Sequence, residues 1–322
     1  MKKNSKFIPL AMVFIGLLSL LFISTYLYIN DSNSKEKKTQ ISVIVYGNNS
    51  DRWATLKQGI DQGAADLGAE VNFVMMTAED DAEEQKKLLE REIENGTKGI
   101  ILAATNSKEM AEVVKEVSLA IPIVMVETNV ENVYSLNYIS ADNYSMGLNI
   151  GRSVFLSGDK ERKVAIFVRN QQRNSVYERY QGLMDSLQYS GYTITPWEMG
   201  AEDKDTSLFL QEMLKESPMD VIVALDDMSL EAVADAVVSS ESTIDVYGIG
   251  STNKIIHFLD YGVINSIVFQ NEFNMGYLSI QDLINGIKRS GNVLDIEIEF
   301  RTVNRETMYL PKNQRLVFPI VQ

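Results

Sequence analysis

The sequence predicts an α/β protein of two Rossmann-like lobes with parallel sheets, preceded by one N-terminal transmembrane helix. Three observations carry that prediction. Short β-branched runs alternate with helical patterns from residue 41 onward, the rhythm of parallel sheets built from right-handed βα units. About five such units precede residue 140 and five follow it, so the architecture reads as duplicated. Ahead of them lies an apolar run without a charged residue.

That run is Phe7 to Ile29, 23 residues long. A helix rising ~1.5 Å per residue over this length spans the ~30 Å hydrocarbon layer of a bilayer. Lys2, Lys3 and Lys6 precede it, and Tyr26 and Tyr28 stand where an interfacial belt belongs. A cleaved signal peptide has a shorter apolar core, roughly 7–15 residues, ending at small residues. Ser32 and Ser34 offer only a poor cleavage site, so residues 1–29 read as an uncleaved signal anchor. The short N-terminal flank favours a cytoplasmic N-terminus and an extracytoplasmic body at the cell membrane, single-pass. Residues 30–40 are polar and read as a linker.

In the body, strands are expected at 41–46, 70–75, 98–103, 122–126 and 136–140, then at 163–168, 192–197, 220–224, 244–249, 264–269 and 295–303. Their apolar runs suit strands buried on both faces. Residues 51–67 carry Trp53, Leu56, Ile60, Ala64 and Leu67 at helical steps. Residues 80–94 begin with the acidic run Glu79, Asp80, Asp81, Glu83 and Glu84. Acids suit the first turn of a helix, and a solvated face is the expectation for that run.

Composition excludes several chemistries. The chain has no Cys and one His, His257, so disulfides, thiolate metal sites and Cys nucleophiles are out. With 30 basic and 44 acidic residues the net charge is −14. Residues 1–40 carry a net +4, which leaves 24 basic and 42 acidic residues on the body. A surface so acidic argues against a nucleic-acid partner. No phosphate loop of the G-x-x-x-x-G-K type is present, and no cofactor is expected.

Ligands of open α/β sheets meet the loops at the carboxyl ends of strands. Those positions hold Asn49, Ser50, Arg52, Trp53, Asn106, Glu127, Thr128, Arg173, Tyr177, Arg179, Trp197, Asp226, Asp227 and Gln270. Carboxylates and amides accept from a sugar hydroxyl, guanidinia donate to its oxygen, and indoles cover the ring's apolar face. Any one of these residues could equally be a cap or a loop hydrogen bond.

The segments S-D-R-W-A-T-L-K-Q-G (50–59), P-I-V-M-V-E (122–127), I-S-A-D-N-Y-S-M-G (139–147), E-R-Y-Q-G (178–182) and A-L-D-D-M-S-L (224–230) recur in order. Through them the body, from about 41 to 303, resembles the type I periplasmic binding proteins of the ribose-binding and lactose-repressor-like family. The resemblance implies two lobes joined by a three-segment hinge near 140–142, 270 and 303. Lobe 1 would be 41–141 plus 271–303, and lobe 2 would be 142–270 plus 304–322. Ligand contacts carried over by position fall on Ser50, Arg52, Trp53, Glu127, Arg179, Asp226 and Gln270, with Thr128 and Tyr177 as further candidates. Two departures stand out: Arg52 replaces an aromatic, and Gly250 stands where an acid is usual. They imply a more basic pocket and an acidic or phosphorylated sugar, unless Arg52 pairs with Glu127.

The implied function is an extracytoplasmic receptor for a small polar ligand, a sugar or sugar derivative. It would pass ligand or signal to an ABC permease or a sensor histidine kinase. A repressor of the same family would need a helix-turn-helix where the apolar run lies. The rival from another class is a membrane-tethered glycosidase, for which Glu127 and Asp226 form the pair to test.

Overall fold

The structure, a computed structural model, describes residues 16–25, 38–156, 161–199, 205–288 and 295–317. Met1–Thr39 and Gln40–Gln322 form two compact units. In the first, residues 16–25 form a helix, α1, with Leu17, Leu20, Leu21 and Phe22 exposed. The rest of the predicted span 7–29, and most of the linker 30–40, lie outside the described residues. Among the described residues no helix is long and apolar enough to cross a membrane.

The second unit holds two six-stranded sheets, one per lobe. The first collects β1 (Thr39–Val45), β2 (Ala69–Met75), β3 (Ile100–Leu102), β4 (Ile123–Val126), β5 (Asn137–Ser140) and β11 (Ile296–Glu297), in the order β11-β5-β4-β3-β1-β2. The second collects β6 (Lys163–Val168), β7 (Thr193–Glu198), β8 (Val221–Ala224), β9 (Asp245–Ile249), β10 (Ser266–Gln270) and β12 (Phe300–Asn304), in the order β12-β10-β9-β8-β6-β7. The centres of β1 and β8 are wholly buried, as strands covered on both faces must be. β12 runs antiparallel to β10.

Helices α2 (Ser50–Leu67) and α10 (Glu272–Lys288) pack together on lobe 1, and α5 (Asn143–Leu156) and α6 (Asn174–Leu187) on lobe 2. Each pair is closed by glycines. A Cβ on Gly59 would stand 2.0 Å from the Phe273 carbonyl oxygen, and one on Gly182 would stand 2.0 Å from that of Tyr144. The N-terminal turns of α2 and α10 face the opposite lobe through Arg52, which bonds Glu272 and Asp227. Helix α8 (Asp227–Ser239) adds its own N-terminus from lobe 2.

The chain crosses between sheets after β5, after β10, and between β11 and β12. Backbone bonds tie the crossings together: Ile298 N–H donates to Ser140, and Asn271 N–H donates to Glu299. The third crossing corrects the expected one. The run 295–303 is two short strands in different sheets rather than one strand ending lobe 1 at 303. Ile298 is buried in the lobe 1 core, whereas Phe300 packs on lobe 2. Alternating apolar residues support either sheet, so the pattern itself cannot mark the switch. Beyond β12 the tail lies on lobe 2, with Met308 in its core.

Candidate functional site

The loops at the carboxyl ends of both sheets meet in one cleft. After β1, Tyr46 and Gly47 lead to Asn49, whose side chain caps α2 by accepting from Asp51 N–H. The first turn of α2 then delivers Arg52 and Trp53. The indole N–H donates to the Tyr46 carbonyl (2.9 Å), and the two rings meet edge to face at 4.9 Å. The Arg52 guanidinium lies over the Trp53 ring, 4.4 Å from its centroid.

Arg52 is buried and ringed by carboxylates. Its Nε is 2.8 Å from Asp227, its Nη1 2.5 Å from Glu272, and its Nη2 3.8 Å from Glu127. Asp227 belongs to lobe 2, so this pair spans the cleft. Burial works against the Arg52 charge, but Asp227 and Glu272 outweigh it and hold the guanidinium protonated far above its ordinary range. Burial pushes Glu272 up to about 7, against the pull of Arg52.

Glu127 sits at φ +62°, a left-handed backbone unusual for a side chain of its size. Its carbonyl accepts from Tyr138 Oη (2.9 Å) and Ser140 Oγ (3.2 Å), which hold that geometry. Its carboxylate accepts from Tyr46 Oη and from Arg179 Nη2, each at 3.1 Å. Arg179 spends its remaining nitrogens on Asn143 Oδ1 (2.8 Å) and the Leu225 carbonyl (3.1 Å). Burial, then the Glu127 charge, raises the Tyr46 phenol well above its usual range.

A second guanidinium completes the cleft. Arg173 of lobe 2 lies 3.8 Å over the Tyr46 ring and reaches Glu79 (3.1 Å) and Asp80 (2.7 Å) of lobe 1. Burial raises the Glu79 carboxyl, opposed by Arg173. The space enclosed is about 10 Å³, room for about one water.

Of the nine residues expected at the site, Arg52, Trp53 and Asp226 line this space. Glu127 and Arg179 are buried and bonded to one another across the lobes. Thr128 joins the lobes through Asn174 Oδ1 (2.8 Å). Gln270 lies at the hinge, where its Oε1 accepts from Ala141 N–H. Asp226 also caps α8, its two oxygens accepting from Ser229 N–H (2.9 Å) and Oγ (2.7 Å). Ser50 and Tyr177 are elsewhere: Ser50 is exposed at the start of α2, and Tyr177 is 49 % exposed on α6. Their helical phase carries them to solvent, while Arg52, Trp53 and Arg179 face inward. Trp197 is buried in the lobe 2 core. His257 is exposed on α9 (Asn253–Tyr261), beside Tyr261.

Tyr46, Glu79, Arg173, Asp227 and Glu272 are not among those nine. By sequence alone Glu79 and Asp80 fit a solvated helix face. In the structure they precede α3 (Ala82–Glu94), and Asp81 caps that helix. Of the two expectations for Arg52, the pairing with Glu127 is the one observed, and the basic pocket is not. Arg52, Arg173 and Arg179 face six carboxylates, Glu79, Asp80, Glu127, Asp226, Asp227 and Glu272. The acid missing at Gly250 is replaced by room for another: a Cβ there would stand 2.7 Å from Asp227 Oδ1. Among the described residues no group of three or more His, Asp or Glu is placed to hold a metal.

Comparison with known proteins agrees with this architecture. A family model described as a periplasmic binding protein domain matches residues 41–289. A carbohydrate transporter solute binding protein from Agrobacterium radiobacter, in complex with D-arabinose, superposes with a TM-score of 0.81 at 21% identity, over 88% of this chain and 100% of that one. An ABC transporter solute binding protein from Agrobacterium vitis with bound D-fucose gives 0.80 at 18% identity, over 87% and 100%. The XylFII–LytSN complex contains a chain that gives 0.73 at 17% identity, over 84% and 98%.

Proposed function

The chain belongs to the periplasmic binding protein domain family, and we propose that it is an extracytoplasmic receptor that binds a neutral monosaccharide or close derivative between its lobes without altering it. One observation carries this reading: carboxylates and guanidinia from both lobes converge, with the Tyr46 and Trp53 rings of lobe 1, on a single cleft. Each sugar hydroxyl both donates and accepts, and the cleft supplies both kinds of partner. The excess of carboxylates over guanidinia disfavours a phosphorylated or acidic sugar. The D-arabinose and D-fucose of the structural neighbours are solutes of the proposed class.

A monosaccharide is far larger than the space enclosed, so the lobes separate at the three crossings to admit it and close over it. A membrane partner reads the closed form. The ABC transporter neighbour favours an ABC permease; the XylFII–LytSN complex, a chain of this fold assembled with a second protein, suits the other partner considered, a sensor histidine kinase. The apolar run 7–29 supports a membrane tether. The contact residues proposed are Arg52, Trp53, Glu127, Arg179 and Asp226, with Thr128 and Gln270 joining the lobes and hinge.

The glycosidase alternative needs two carboxyl groups free to act on a bond. Glu127 is instead held by Tyr46 and Arg179, and Asp226 by Ser229. The test is a thermal-shift and calorimetric screen of the full chain against D-arabinose, D-fucose, other neutral monosaccharides and sugar phosphates. A neutral sugar at a hundred times its Kd stabilises the fold by about 2.7 kcal/mol. Binding of sugar phosphates alone, or turnover of a glycoside, would overturn the reading.

A further inference from the structure

Two polar atoms in the cleft lack a partner. Glu79 Oε2 and Arg173 Nε are both buried, and neither makes a hydrogen bond. They belong to one ion pair, closed through Arg173 Nη2 and Glu79 Oε1 at 3.1 Å. Both residues line the enclosed space. Buried donors and acceptors are almost always satisfied, and leaving one unmet is costly. A free acceptor and a free donor on the same ion pair match a group that donates and accepts at once, a water in the cleft or, in its place, a ligand hydroxyl that donates to the carboxylate and accepts from the guanidinium.

The surroundings keep these atoms in place. Gly47 has φ +70°, and a Cβ there would stand 2.4 Å from Glu79 Oε2. Any other residue would push that oxygen aside. Arg173 is fixed from the other face by the Tyr46 ring and by its bond to Asp80. Its side chain is only 4 % exposed.

We propose that Glu79 and Arg173 form a hydroxyl-binding subsite of the cleft, outside the positions that the family resemblance supplied. This rests on the sugar reading above and sharpens it to a ligand bearing a hydroxyl at one defined ring position. Glu79 comes from lobe 1 and Arg173 from lobe 2, so the subsite exists only in the closed form. A hydroxyl seated there binds the closed form better than the open one, which is what a closure signal requires.

The test is a mutant cycle on the full chain. Calorimetry compares wild type, Glu79→Gln and Arg173→Lys, using the tightest-binding neutral monosaccharide of the screen and its monodeoxy series. Both substitutions keep size or charge, and a melting curve checks folding; Glu79→Gln, nearly isosteric, serves alone if the second variant misfolds. Each variant should lose roughly tenfold in affinity for the parent sugar. At one deoxy position that loss should vanish, because hydroxyl and side chain then contribute only together. An equal loss for every analogue, or unchanged affinity for the parent sugar, overturns the subsite while the sugar reading stands. If wild type binds no neutral monosaccharide, both fall.

Discussion

Two guanidinium groups in the cleft are built alike and finished differently. Arg52 of lobe 1 lies over Trp53, and Arg173 of lobe 2 lies over Tyr46. Each reaches across to the opposite lobe, Arg52 to Asp227 and Arg173 to Glu79 and Asp80. Arg52 spends Nε, Nη1 and Nη2 on three carboxylates, whereas Arg173 leaves Nε without a partner. A saturated buried cation holds lobes together; one with an open donor also has something to offer a solute. In the closed, ligand-free form the first serves as a latch and the second still offers a contact.

Arg52→Ala is the most severe way to break that contrast. It leaves Glu272 and Asp227 buried without their cation, which costs about 3–5 kcal/mol for a buried pair. Urea denaturation of the full chain should show that loss. A loss below about 1 kcal/mol would place the pair in the range of exposed ion pairs and end its role as a latch.

Legibility in the sequence follows the same divide. Continuous apolar strands, their alternation with helices and the inward Arg52, Trp53 and Arg179 are local signals, and the family they indicate is the one matched over 41–289. Glu79 and Asp80 were not legible as site residues, because acids before a helix are ordinary capping chemistry. Their partner, Arg173, is 94 and 93 residues away, and only folding brings them together. Gly250 misled in the opposite direction. By sequence it is a lost charge, but the missing Cβ makes space for Asp227, a relation carried by β9 and α8 rather than by the motif. The switch of sheet between Glu297 and Phe300 was hidden for a similar reason, since both lobes accept the same alternating pattern.

The latch also carries a pH signature. Glu272 holds its proton up to about 7, because burial beside Asp227 and Glu127 outweighs Arg52, against an ordinary 4.5. Between those values the folded chain binds more protons than the unfolded one, so stability falls as pH rises. The fall between pH 5 and 7 is on the order of 2 kcal/mol. Glu272→Gln should flatten that part of the stability profile, measured by urea midpoints at half-unit steps. An unchanged slope in the variant would place the titration elsewhere.

The gentlest perturbation sharpens the comparison from the side of shape. Gly250→Ala inserts a Cβ 2.7 Å from Asp227 Oδ1 and 2.7 Å from Ile255 Cδ1, at φ +155°. Overpacking of this kind costs about 1–3 kcal/mol, and backbone strain at this φ adds to it even if the Asp227 carboxylate swings aside. Swinging it away from Arg52 weakens the latch without removing a charge, and leaves the Arg173–Glu79 pair untouched. The variant should therefore open more readily, with a larger ligand-free radius of gyration by small-angle scattering, while keeping its preference among deoxy sugars. If that preference changes instead, the two guanidinium groups act as one unit, and the division between latch and contact is wrong.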